Sequence, residues 1–108
     1  MSVETLILPE SEIRERFQRL TRQWKNESEF MSNSAQMAML PSYQHIIGLG
    51  MPVVPFVLEE LKREPDQWFW ALEAITEESP TPQEVRGKVA LMAKAWLDWG
   101  VQRGFIKP

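Results

Sequence analysis

Gly48-Leu49-Gly50-Met51-Pro52-Val53-Val54-Pro55-Phe56-Val57-Leu58-Glu59-Glu60-Leu61, followed closely by Asp66-Gln67-Trp68-Phe69-Trp70-Ala71-Leu72, is the stretch whose reading decides the fold. Glycine takes the left-handed conformation that closes a helix, and proline suits a first turn, whose N–H groups have no intrahelical partner. The stretch therefore predicts one helix ending at Gly48 or Gly50, a second starting at Pro52, and a stop at Pro65. A third helix is expected over Gln67 to about Ile75, capped by Asp66. Val54, Val57, Leu58 and Leu61 form the apolar stripe of the second helix. Trp68, Leu72 and Ile75, with Ala71 alongside, form that of the third. Phe69 and Trp70 instead flank Glu73 and Glu77, so these two aromatics either contact other elements or stay partly exposed.

Toward the N-terminus, Pro41 starts a segment through Tyr43, His45 and Ile47, and Ser34 is placed to cap a short helix through Leu40. Before that, Ile13, Phe17, Leu20 and Trp24 recur at helical spacing and predict an amphipathic helix over Glu10 to Lys25, with Pro9 at its first position. Its other side pairs Glu10 with Arg14, Glu12 with Arg16 and Glu15 with Arg19, each four apart in the favourable order. Residues 1–8 read as an N-terminal arm, since a lone strand has no partner. Toward the C-terminus, Thr81-Pro82-Gln83-Glu84 combines a capping box with an N1 proline and predicts the start of the last helix. Val85, Val89, Met92, Trp96 and Trp99 share one face of that helix, Lys94 and Asp98 pair on the other, and Gly100 or Gly104 ends it. The expected fold is all-α, a compact bundle of five or six helices in a single domain spanning residues 1–108.

Composition narrows the function. The chain has 108 residues, a net charge of −3 and no cysteine, which excludes disulfides, thiolate nucleophiles and Cys-based metal sites. The acidic balance disfavours a dedicated nucleic-acid binder. The first twenty residues do not read as a signal peptide and no window resembles a membrane span, so a cytoplasmic protein without membrane contact is expected. Five tryptophans are many for this length; Trp24, Trp68 and Trp96 fall on apolar stripes and are expected in the core. No calcium loop, di-metal helix spacing, phosphate loop or nucleophile elbow occurs, so no metal, cofactor or catalytic residue is assigned.

Gly50 to Leu61 followed by Trp68 to Ile75 resembles a HEAT repeat, over about residues 41–76. The resemblance implies antiparallel stacking of successive helices and contacts with other macromolecules. Pro41 to Gly48, Trp68 to Thr76 and Ala95-Trp96-Leu97-Asp98-Trp99-Gly100 are also similar to a group of small bacterial all-helical proteins, over most of residues 30–104. No activity or site residue carries over from that group.

Few side chains remain for a site. His45 is the only histidine and has no sequence-local acid. Arg19 and Arg22 lie past the last glutamate of the first helix and are its most available cations. Trp70 borders the acidic side of its helix near Glu73, and is either packed under the first or last helix or part of an exposed recognition patch. The leading expectation is a non-enzymatic protein–protein interaction module, of the antitoxin, immunity or regulatory kind found in bacteria, with an unspecified oligomeric state. One alternative is a small-molecule binder or enzyme with an interhelical pocket using His45 and Tyr43. A second is weak nucleic-acid association through the basic side of helix 10–25, which predicts strong salt sensitivity.

Overall fold

Six α-helices and two short 3-10 turns make up the computed structural model, which describes residues 8–108; no strand occurs among them. All but the last residue of the expected N-terminal arm lies outside the described residues. Leu8 itself is non-helical and packs half-buried on the core. Helix α1 (Glu10–Ser28) buries Ile13, Phe17, Leu20 and Trp24 as the periodicity predicts, and runs one turn further than expected. Pro9 stands one position outside it in extended conformation, its carbonyl accepting from the N–H groups of Glu12 and Ile13.

Helix α2 (Ser34–Ala38) is shorter than expected and is capped by Asn33, not Ser34: the Asn33 Oδ1 accepts from the Gln36 N–H at 3.0 Å. Helix α3 (Pro41–Gly48) has its proline at the first position. Gly50, at a φ of 75°, then turns the chain. Pro52 begins a 3-10 turn over Met51–Val53, so helix α4 starts two residues later than predicted and runs Val54–Arg63. All four residues of its predicted stripe are fully buried.

Helix α5 (Phe69–Thr76) also starts two residues late, and the reason is a side chain from another helix. In a continuous helix the Ala71 N–H would donate to the Gln67 carbonyl. Here the Tyr43 hydroxyl is inserted between them, accepting from Ala71 N at 2.8 Å and donating to Gln67 O at 2.9 Å. The Asp66 carboxylate accepts only from the adjacent Gln67 N–H, so the expected cap gives way to a tyrosine reaching across from α3. The tyrosine is completely buried, and this desolvation pushes its pKa up.

The largest correction concerns Thr81-Pro82-Gln83-Glu84. These residues do not open the last helix: Gln83–Val85 forms a single 3-10 turn, Arg86 is extended, and Gly87 takes a φ of 87°. The Thr81 hydroxyl is buried without a hydrogen-bond partner, so no capping box forms. Helix α6 starts at Val89 and ends at Gln102, with Val89 and Met92 half-buried and Trp96 and Trp99 buried. The break lets residues 77–88 fold back along α6, where Glu78 accepts from both Arg103, at 2.7 Å, and the Trp99 indole, at 3.3 Å.

Aromatic rings from α1, α3 and the start of α5 form the centre of the core. Trp24 and Trp68 lie 4.8 Å apart, Trp24 and Tyr43 5.1 Å, and Phe17 and Trp68 5.7 Å, all within the range of favourable ring contacts. The Trp24 indole donates to the Met37 carbonyl at 2.9 Å, which ties the short α2 to the same cluster. Lys25 bridges α1 to α4 through Glu60 at 3.0 Å and Glu64 at 3.3 Å. Packing is heaviest between α1 and α3, α3 and α5, and α4 and α6, helices two apart in the chain, whereas the HEAT resemblance implies pairing of successive ones. At the α4–α6 contact Gly100 allows close approach; a Cβ there would stand 2.6 Å from Leu58 Cδ1. No helix among the described residues is long and apolar enough to cross a membrane.

Candidate functional site

Helix α5 is crowded on most of its circumference. Trp68 before it, then Phe69, Ala71 and Leu72, are all buried. At about 100° per residue, these positions leave one open sector through residues 70, 73, 74 and 77. Trp70 lies in that sector and is 52% exposed, while Trp24, Trp68, Trp96 and Trp99 are buried. Trp70 is therefore exposed, not packed under the first or last helix. Glu73 follows one turn later on the same face and is half-buried.

Beside this face runs a groove of about 420 Å³. Phe69, Trp70 and Glu73 of α5 form one wall, and Val89 and Met92 of α6 form the other. Arg86 and Gly87 close one end, and Ser32, from the α1–α2 connection, and Ser34, the first residue of α2, complete the rim. Phe30, two residues before Ser32, is 94% exposed, so a second aromatic projects from the same connection. The turn at Gly87 is held by its N–H donating to the Met92 sulfur at 3.3 Å. The Arg86 guanidinium donates to the Ser79 hydroxyl at 3.0 Å, which anchors it to the linker.

The structure brings together two of the six side chains singled out in the sequence, Trp70 and Glu73. Arg19 and Arg22 are exposed on α1 and line other, shallow depressions. The pairs Glu10–Arg14, at 3.9 Å, and Glu12–Arg16, at 3.1 Å, form as expected, but Arg19 makes no ion pair among the described residues. Tyr43 and His45 do not converge on a cavity. Two positions apart on a helix, they point about 200° from each other. Tyr43 is sealed in the core with its hydroxyl committed to α5, and His45 is exposed with no ion pair among the described residues. Sequence reading missed Arg86, Val89 and Met92 as partners of Trp70 because it ran α6 straight through Gly87.

The groups with displaced pKa values lie away from the groove. Glu60 is pushed up by burial, but hydrogen bonds from Arg63 and Lys25 outweigh this and leave it below the usual carboxylate value. Hydrogen bonding from Arg103 holds Glu78 low, and Asp98 holds Lys94 high. The net displacement of these three groups follows from structural ion pairs, and that of Tyr43 from its burial. No group of three or more metal-ligating side chains occurs among the described residues. Comparison with known proteins gives no family model, no curated relative and no solved structure that matches the chain.

Proposed function

We propose that this chain is a non-enzymatic interaction module that docks another protein on the groove beside Trp70. The observation that carries the reading is the half-exposed indole of Trp70 on a chain whose other four indoles are buried. A large aromatic at the rim of an apolar groove is the kind of residue that dominates binding energy once a partner excludes water around it. The chemistry of the site agrees: Phe69, Val89 and Met92 give its walls an apolar lining, and none of the groups with displaced pKa lines it.

The test is affinity capture with the tagged chain from cells that express it, run in parallel with Trp70→Ala and Arg19→Glu. A partner retained by the wild type and by Arg19→Glu, but lost with Trp70→Ala, supports the groove. A partner held equally by all three, or lost only with Arg19→Glu, refutes it.

A further inference from the structure

The protein contains an internal example of how an indole and a glutamate hold a guanidinium. Arg103 lies over the Trp99 ring, 5.3 Å from its centroid, and donates through both terminal nitrogens to the Glu78 carboxylate. The ring face supplies its negative quadrupole, and the carboxylate accepts a planar fork of N–H donors.

Trp70 and Glu73 present the same two side-chain types on the open sector of α5. At a spacing of three residues they are neighbours on the helix surface. No cation of the described residues lies over the Trp70 ring, and Glu73 forms no ion pair among them. The residues outside the described ones contain no Lys or Arg. Arg86, across the groove, is turned to Ser79. The surrounding stretch is uniformly acidic: from Glu64 to Val85 the chain carries Glu64, Asp66, Glu73, Glu77, Glu78 and Glu84, and no Lys, Arg or His. Glu64 and Glu78 are engaged by Lys25 and Arg103, whereas Glu73, Glu77 and Glu84 make no ion pair among the described residues. The exposed face of α5 therefore offers an aromatic ring and carboxylates of a single sign.

We infer that the groove takes an arginine-bearing segment of a partner protein, with the guanidinium over Trp70 and against Glu73 and a neighbouring apolar side chain on Phe69, Val89 and Met92. This rests on the interaction reading above and assigns the partner's chemistry. Arginine suits the pair better than lysine, because its planar head stacks on the ring and forks onto the carboxylate together. Arg86, at the far rim, is placed to donate to a carbonyl or carboxylate of the same segment.

The probe is a short blocked peptide with arginine between two leucines, titrated into the 15N-labelled chain. Three control peptides carry lysine, citrulline or glutamate in place of the arginine. Citrulline keeps the shape and removes the charge. The arginine peptide is expected to shift the Trp70 indole N–H and the Glu73 and Gly87 amides in the millimolar range. It should bind about tenfold more tightly than the citrulline peptide and weaken with salt. Glu73→Gln should remove most of that tenfold preference, and Trp70→Ala should abolish the shifts. Equal binding of the citrulline and arginine peptides, tighter binding of the glutamate peptide, or no shift at these positions overturns the assignment. So does concentration-dependent self-association of the free chain that buries Trp70, since a second copy is then the occupant. A native partner lost with Trp70→Ala but indifferent to Glu73→Gln and to salt leaves the interaction reading standing and removes the arginine.

Discussion

Replacing Tyr43 by phenylalanine removes one oxygen atom from the centre of the molecule and leaves the ring volume unchanged. The consequence follows from the two hydrogen bonds that the hydroxyl makes, to Ala71 N at 2.8 Å and to Gln67 O at 2.9 Å. Tyr43 and Ala71 are fully buried, so water does not replace the lost partner. Each hydrogen bond contributes about 1 kcal/mol net, and a buried group left unsatisfied costs about 1–3 kcal/mol. The first turn of α5 recovers part of this if Gln67 and Ala71 close up into a direct bond. The expected net loss is about 2 kcal/mol, roughly 8 °C in Tm for a domain of this size. Calorimetry measures the total, and amide hydrogen exchange follows it at the site: the Ala71 N–H should exchange about 30-fold faster, no less than amides that open only on global unfolding. A variant within about 0.5 kcal/mol of wild type, with unaltered exchange at Ala71, would falsify the idea that a tyrosine from α3 organises the start of α5.

Four further outcomes are expected. Gly100→Ala should destabilise by about 1 kcal/mol, because overpacking against Leu58 and Ile106 outweighs the helix propensity gained. Gly48→Ala, where a Cβ meets nothing within 4 Å, should stabilise by a few tenths, and chemical denaturation of the two variants separates packing from propensity. Trp70→Ala should leave thermal stability within about 0.5 kcal/mol of wild type, since the ring is half exposed; a loss like that of a core tryptophan, about 3 kcal/mol or more, would make Trp70 structural. Stability should fall with acid. Glu78 is held below 4.5 by Arg103, and Glu60, raised by burial, is carried below 4.5 by Arg63 and Lys25. Depressed carboxylates contribute stability that is complete above their unfolded values and disappears as the pH drops through their folded values. Tm should therefore hold near neutrality and decline below pH 4.5, with a shallower decline in Arg103→Ala. An unchanged acid profile in that variant would show that the Glu78 pair contributes nothing.

Helix identity was legible wherever apolar residues repeat at the helical period. Phe17, Leu20, Trp24, Val57, Leu58, Leu61, Leu72 and Trp96 are buried as their spacing predicts. Helix boundaries were less legible, for physical reasons that differ from case to case. The start of α5 depends on a hydroxyl arriving from 28 residues away, which no local pattern contains. Asn33, in extended conformation just before α2, accepts from the Gln36 N–H and caps the helix, while Ser34 already lies inside it. The Thr81 box does not open α6 because the chain breaks at Arg86, which is extended, and Gly87, at a φ of 87°; the linker instead lays Glu78 on Arg103 and Trp99. Of the site, Trp70 and Glu73 were visible because they break the apolar stripe of α5. Their partners across the groove were hidden by that same misplaced helix start.

The uneven burial of the five indoles has an optical consequence. Trp24 and Trp68, 4.8 Å apart inside the core, are expected to share excitation and emit to the blue, as are Trp96 and Trp99 on the buried face of α6. Trp70 alone stands in water, so the red edge of the emission and the fraction quenched by acrylamide report on one residue. Whatever settles on α5 will announce itself in the intrinsic fluorescence, without any added label.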